Sequence, residues 1–309
     1  MYIKGHIIKM SFIQKKVHYE MKIKKAVIPV GGFGTRFLPA TKAQPKEMLT
    51  IVDKPVIQYL VEEVVASGIK EIIFVTGRGK RAIEDHFDYS AELEHYLTIR
   101  GKHDLAKKIH EISSLARFTY VRQGEPKGPG HALLQISHLI GHDEPIAVLY
   151  GDDIIDAKVP CLKQLMAVYE KTNCPVIALQ KIPQKEISKY GVIGGKKVAP
   201  RIYKITELIE KPPIEKAPSD LAIVGKYIYT PELFQLLPHM KPGPGGELFP
   251  TDVFDLYIKN GGEMYGYEYE GVRYDCGDKL GFLQAIIQFG LKHPEVGKGL
   301  KSYLKGLNV

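Results

Sequence analysis

Cysteine is scarce in this 309-residue chain, and its placement removes two common uses. Only Cys161, Cys174 and Cys276 occur; the number is odd and no C-x-x-C pair exists. Neither a disulfide framework nor a zinc cluster is indicated, and reduced thiols in a cytoplasmic protein are expected. Long apolar runs are missing too. None approaches the roughly 20 residues needed to cross a bilayer, so no membrane partner is expected. Residues 1–20 lack a continuous apolar core and a small-residue cleavage site, which argues against a signal peptide. Met21 opens MKIKKAVIPV, which reads as a native start. Residues 1–21 are therefore expected to be a flexible extension, 22–297 a single domain and 298–309 a C-terminal tail. The formal charge is +8, but the lysines are dispersed and no aromatic-plus-basic RNA motif appears. Nucleic acid is thus not an expected partner; a basic surface around a cleft for anions fits better.

Apolar runs and amphipathic stretches alternate through the first half. Strands are expected at 26–30, 72–76, 118–122 and 146–150, with helices at 55–67, 81–87, 91–112 and 131–139. Continuous β-branched runs separated by helices argue an α/β fold, a Rossmann-like parallel sheet with helices on both faces. After residue 175, strands at 176–180, 201–210, 221–229 and 263–269 follow with fewer helices, so a small antiparallel addition is expected there. A helix at 280–289 closes the pattern. Ligands of such sheets bind at the carboxyl ends of the strands.

The first strand ends in Gly31-Gly32-Phe33-Gly34-Thr35-Arg36, and Lys46 follows ten residues after Arg36. A glycine turn after a buried strand exposes N–H groups that can surround phosphate oxygens, and two cations would add fixed positive charge. A third glycine in dinucleotide spacing is absent, as is a GKS or GKT. Taken alone, such a turn is about as often only a turn. A second motif, Tyr150-Gly151-Asp152-Asp153, ends another strand; its aspartates either bind a metal or cap the next turn. Gln123, in RQGEPKGPGHA, carries both a donor and an acceptor and could pair with a pyrimidine edge. On its own a solvent-facing Gln is the commoner outcome. His131 sits at a helix start, where a structural role is expected. Asp278 precedes the last helix and reads as its cap.

The string GGFGTRFLPATKAQPKEML resembles the signature of the sugar-nucleotide pyrophosphorylases, G-x-G-T-R-x-x-P-x-T-K-x-x-P-K. In detail it is similar to the bacterial uridylyltransferase branch, as is the later DCGDKLG. The resemblance spans about residues 22–297. It implies a nucleotidyltransferase of glycosyltransferase-A-like, mixed and mostly parallel architecture. It implies UTP and glucose 1-phosphate as substrates, UDP-glucose and pyrophosphate as products, Mg²⁺ as cofactor, and a homodimer or homotetramer. Carried over by motif, Gly31, Gly32, Gly34, Thr35 and Glu47 join the nucleotide site, and Gln123 and Gly128 read the uracil. Asp152 and Asp275 hold the metal. Gly191, Glu210, Lys211, Val224 and Gly225 receive the sugar phosphate. Arg36, Lys46, Asp152 and Lys211 carry catalysis. The chain departs from the family pattern at Gly246, where an acidic residue is common. The rival readings are a dTTP-dependent thymidylyltransferase and a non-catalytic nucleotide-sugar-binding regulator. A Rossmann oxidoreductase stands further off.

Overall fold

The central strands of the computed structural model alternate strictly, yet both of their faces are apolar. Ala26 and Ile28 of the first strand enter one buried cluster, and Val27 enters another on the opposite face. Ile72 and Phe74 divide from Ile73 and Val75 in the same way, as do Ala147 and Leu149 from Ile146 and Val148. Side chains alternate across a strand with period two, so a strand covered on both faces reads as one continuous apolar run. The structure describes residues 22–243 and 246–307; the expected extension at 1–21 lies outside them.

The chain opens with β1 (Lys25–Pro29), the hairpin β2 (Thr50–Ile51) and β3 (Lys54–Pro55), then α1 (Val56–Ala66) and β4 (Glu71–Thr76). Next come α2 (Arg81–Phe87), α3 (Ala91–Ile99), α4 (His103–Ser113), β5 (Arg117–Arg122), α5 (Pro129–Leu134) and β6 (Ile146–Leu149). The middle holds β7 (Asp153–Asp156), α6 (Cys161–Thr172), β8 (Val176–Lys181), β9 (Val192–Ala199), β10 (Ile202–Ile209) and β11 (Leu221–Tyr229). The chain ends with α7 (Pro231–Gln235), α8 (Pro250–Lys259), β12 (Tyr265–Glu268), β13 (Val272–Asp275), α9 (Lys279–Lys292) and α10 (Gly297–Lys305).

Nine strands form one sheet in the order β5-β4-β1-β6-β11-β8-β12-β10-β9. The first four are parallel. β11 runs antiparallel between β6 and β8, and β10 pairs antiparallel with β12 and β9. The mixed α/β sheet with its C-terminal antiparallel part is therefore as expected. The expected strands at 26–30, 72–76, 118–122 and 146–150 are β1, β4, β5 and β6, each within a residue.

Three expectations change. The helix at 91–112 is two helices, because Gly101 turns left-handed at φ 70° and Lys102 N–H closes back on the Leu97 carbonyl at 2.9 Å. The helix expected at 131–139 is α5, which stops at Leu134, followed by a separate short turn at Ser137–Leu139. Largely within the stretch read as a C-terminal tail, α10 lays Leu300 close to Gly290 of α9. A separate two-stranded ladder, β7 with β13, lies outside the large sheet. It sets Asp275 opposite Asp153.

Candidate active site

The glycine loop, the acidic turn and the Gln123 segment all leave the same edge of the sheet, after β1, β6 and β5. Gly31 lies tight against Gln123: a Cβ there would stand 2.8 Å from Gln123 Oε1. Gln123 is buried, and its Nε2 donates to the Gly128 carbonyl at 3.2 Å and pairs with His131 Nδ1 at 3.0 Å. His131 is thus a brace for Gln123, consistent with the structural role expected. Gly128 has φ 92° and meets the Leu248 backbone, whose O and N would be 2.8 and 2.9 Å from a Cβ. Gly32 and Thr35 are exposed on the loop, and Gly34 turns left-handed at φ 65° against Lys46. Arg36, also exposed, reaches the Gly277 carbonyl with Nη1 at 3.4 Å.

Lys46 Nζ donates to Asp152 Oδ2 at 2.6 Å. Burial opposes the Lys46 ammonium, but Asp152 and Glu47 outweigh it and raise its pKa above 10.5. Burial likewise opposes ionisation of Asp152, yet Lys46, then Arg273, hold its carboxyl below 3.8. Both are therefore charged at neutral pH. A Cβ placed on Gly277 would be 2.6 Å from Asp152 Oδ2 and 3.1 Å from Asp275 Oδ1. The two carboxylate oxygens are therefore no farther apart than the sum of those distances. Burial, then the neighbouring Asp153, raise the Asp275 pKa above 3.8. Asp278 accepts from Leu280 N–H at 3.0 Å and Gly281 N–H at 3.3 Å, so it is the expected helix cap.

Among the described residues, no three His, Cys, Asp or Glu side chains converge as a closed metal cage. Magnesium does not need one. It keeps several waters and is held by one or two carboxylates together with substrate phosphates. The Asp152 and Asp275 carboxylates, set beside Lys46 and the glycine loop, fit that demand.

The sugar-phosphate candidates form an adjoining cluster. Glu210 Oε2 accepts from Thr251 Oγ1 at 3.2 Å and would lie 2.9 Å from a Cβ on Gly191. Lys211, at φ 45°, pairs with Glu210 at 3.7 Å and sits 5.7 Å from the Phe249 ring centroid. Val224 and Gly225 lie where the pairing of β11 with β8 slips register. Gly225 N–H donates to Asp153 Oδ2 at 3.0 Å, which ties this cluster to the carboxylates.

Three partners were not singled out in the sequence. Lys80 forms a buried ion pair with Glu47 at 2.8 Å, and Lys226 forms one with Glu63 at 2.7 Å. Arg273 pairs with Asp153 at 2.5 Å and Asp275 at 3.3 Å. Each joins segments distant in sequence, so no local spacing announces it. The Arg273 pairing was within reach, because residues 273 and 275 fall on one face of a short strand.

A family profile described as nucleotidyl transferase matches residues 25–289. A UTP–glucose-1-phosphate uridylyltransferase of Bacillus subtilis (strain 168) is 49% identical over 93% of this chain and 97% of its own. The fold resembles a UDP-glucose pyrophosphorylase solved with UDP-glucose: TM-score 0.81, 42% identity, 88% of this chain and 100% of that one. It also resembles a UTP-bound UGPase from Acinetobacter baumannii: TM-score 0.86, 36% identity, 93% of this chain and 100% of that one. The uridylyltransferase resemblance read from residues 26–49 is thereby borne out, and the chain belongs to the nucleotidyl transferase family.

Proposed function

We propose that the protein makes UDP-glucose and pyrophosphate from UTP and α-D-glucose 1-phosphate. The observation that carries this reading is the Lys46–Asp152 pair beside Asp275, at the mouth of a glycine loop. A phosphate oxygen of glucose 1-phosphate attacks the α-phosphorus in line, opposite the leaving pyrophosphate. The nucleophile is already an anion, so no strong general base is required. The obstacle is bringing anions together, and positioning with electrostatic stabilisation overcomes it.

The amides of Gly31, Gly32, Gly34 and Thr35 receive the triphosphate, and Arg36 stabilises the leaving pyrophosphate. Lys46 meets the α-phosphate, while Glu47 holds the turn that carries it. Gln123 and the Gly128 backbone read the uracil. Glu210 accepts from sugar hydroxyls, Gly191, Val224 and Gly225 line the hexose, and Lys211 holds its phosphate. Asp152 and Asp275 would hold Mg²⁺, which neutralises phosphate charge and aligns the reacting groups.

The relatives named above support the substrate pair. The family match at 25–289 supports reading 22–297 as a single catalytic domain. Three cysteines with no C-x-x-C pair suit a cytoplasmic setting, and no described helix is long and apolar enough to cross a membrane. A homodimer or homotetramer rests on the family resemblance alone. The test is a matrix of nucleotides against sugar phosphates with Mg²⁺, read as pyrophosphate release. UTP with glucose 1-phosphate should be the fastest pair. A faster dTTP reaction would move the assignment to the thymidylyl branch, and no release with any pair would remove the enzyme reading.

A further inference from the structure

Residues 153 and 275 face each other directly across the β7–β13 ladder, and both are aspartates. Like charges placed opposite on a ladder push it apart. Position 273 precedes 275 by two, so its side chain leaves β13 on the same face. It is an arginine, and its side chain is only 10% exposed. Nε donates to Asp153 and Nη2 to Asp275. The guanidinium also lies 5.2 Å from the ring centroid of Tyr190, the residue before Gly191. One cation therefore spans the carboxylate pair and the start of the sugar segment.

The charges can be counted. Asp152, Asp153 and Asp275 bring three negative charges, and Lys46 and Arg273 bring two positive ones. A single negative charge is left over. A divalent ion gains little from so small a residue of charge until a triphosphate adds its own oxygens.

We infer that Arg273 is a positioning residue that makes divalent-metal binding depend on the nucleotide. It holds Asp275 in register and cancels enough charge that the ion binds the free protein weakly. This rests on the proposed reading of Asp152 and Asp275 as metal ligands.

The experiment titrates substrate-free protein with Mn²⁺ and counts free ion by electron paramagnetic resonance, with no turnover involved. Arg273→Gln leaves two uncompensated negative charges and should tighten Mn²⁺ binding about 10-fold, the scale of one partly screened unit charge at this range. Arg273→Lys keeps the charge and should stay near the parent affinity. Asp153→Asn removes the leftover negative charge and should weaken binding by a similar factor. A residue that merely braced the ladder would not move the affinity in opposite directions. Binding by Arg273→Gln that equals or falls below the parent overturns the inference. Should that variant not fold, unchanged binding by Asp153→Asn overturns it instead. Asp275→Asn alone separates the two readings, because it removes the same charge as Asp153→Asn but also a proposed ligand. If it weakens Mn²⁺ binding no more than Asp153→Asn does, Asp275 is not a ligand and the proposed metal site fails, whereas the effect of Arg273 stands.

Discussion

Replacing Lys80 with methionine would expose how the turn carrying Lys46 is held. Lys80 Nζ and Glu47 Oε2 lie 2.8 Å apart, with side chains 6% and 1% exposed. Glu47 follows Lys46 in one short helical turn, and its stem packs near Gly151. Methionine would keep much of the lysine volume and leave the carboxylate buried without its counter-charge. Breaking such a pair by removing one partner costs about 3–5 kcal/mol. Glu47 can limit that cost by taking a proton. Burial already raises its pKa above 4.5, and Lys80 is the strongest influence opposing the rise. Without Lys80 the folded-state value climbs further. A raised folded pKa gives stability that is complete below the unfolded value and fades as pH rises through the folded one. The deficit of Lys80→Met against the parent should therefore grow between about pH 5 and about pH 8. At the upper end it should approach the full cost, or a melting temperature lower by roughly 5–15 °C for a chain of this size. Urea unfolding followed by circular dichroism at both pH values reads this directly. Adding Glu47→Gln removes the stranded charge and should recover more than half of the loss. A single variant within about 1 kcal/mol of the parent at the higher pH would refute the reasoning. So would a deficit that shrinks as pH rises.

Lys46→Met should lower turnover on the order of 10³-fold, since it removes a charge beside the reacting phosphate; pyrophosphate release at saturating substrates checks it, and a loss under about 10-fold would contradict the assigned role. Gly31→Ala would place a Cβ 2.8 Å from Gln123 Oε1 and push that amide aside. Its KM for UTP should rise about 10-fold with kcat little changed, the pattern of weakened ground-state binding. Chelation with EDTA should abolish turnover and added Mg²⁺ should restore it, whereas activity that survives exhaustive chelation would dismiss the metal.

Local pattern carried much of the fold. β1, β4 and β6 are apolar on both faces, and a run of that kind is visible without knowing what covers it. Residues 221–229 were legible as β11 for the same reason: every residue in it is buried. β7 and β13 were not. Each has four residues with an aspartate at its end, and neither run is long enough to carry a period. The break at Gly101 lay inside a stretch whose apolar spacing suits a helix on both sides. At the site, motifs pointed to the candidate phosphate-facing groups and hid the groups that hold them. Arg273, Lys80 and Lys226 reach partners far along the chain, and only the folded backbone brings such pairs together.

The β7–β13 ladder also bears on how the protein comes into being. Asp153 and Arg273 are 120 positions apart, so the ladder closes a loop that covers much of the second half of the chain. Contacts of that span form late, because the intervening polymer must first be gathered in. A ribosome-bound fragment ending before β13 would already contain the glycine loop and Lys46, yet lack its second carboxylate. Competence would then arrive in one step as the ladder zips, so partial synthesis products should be inert.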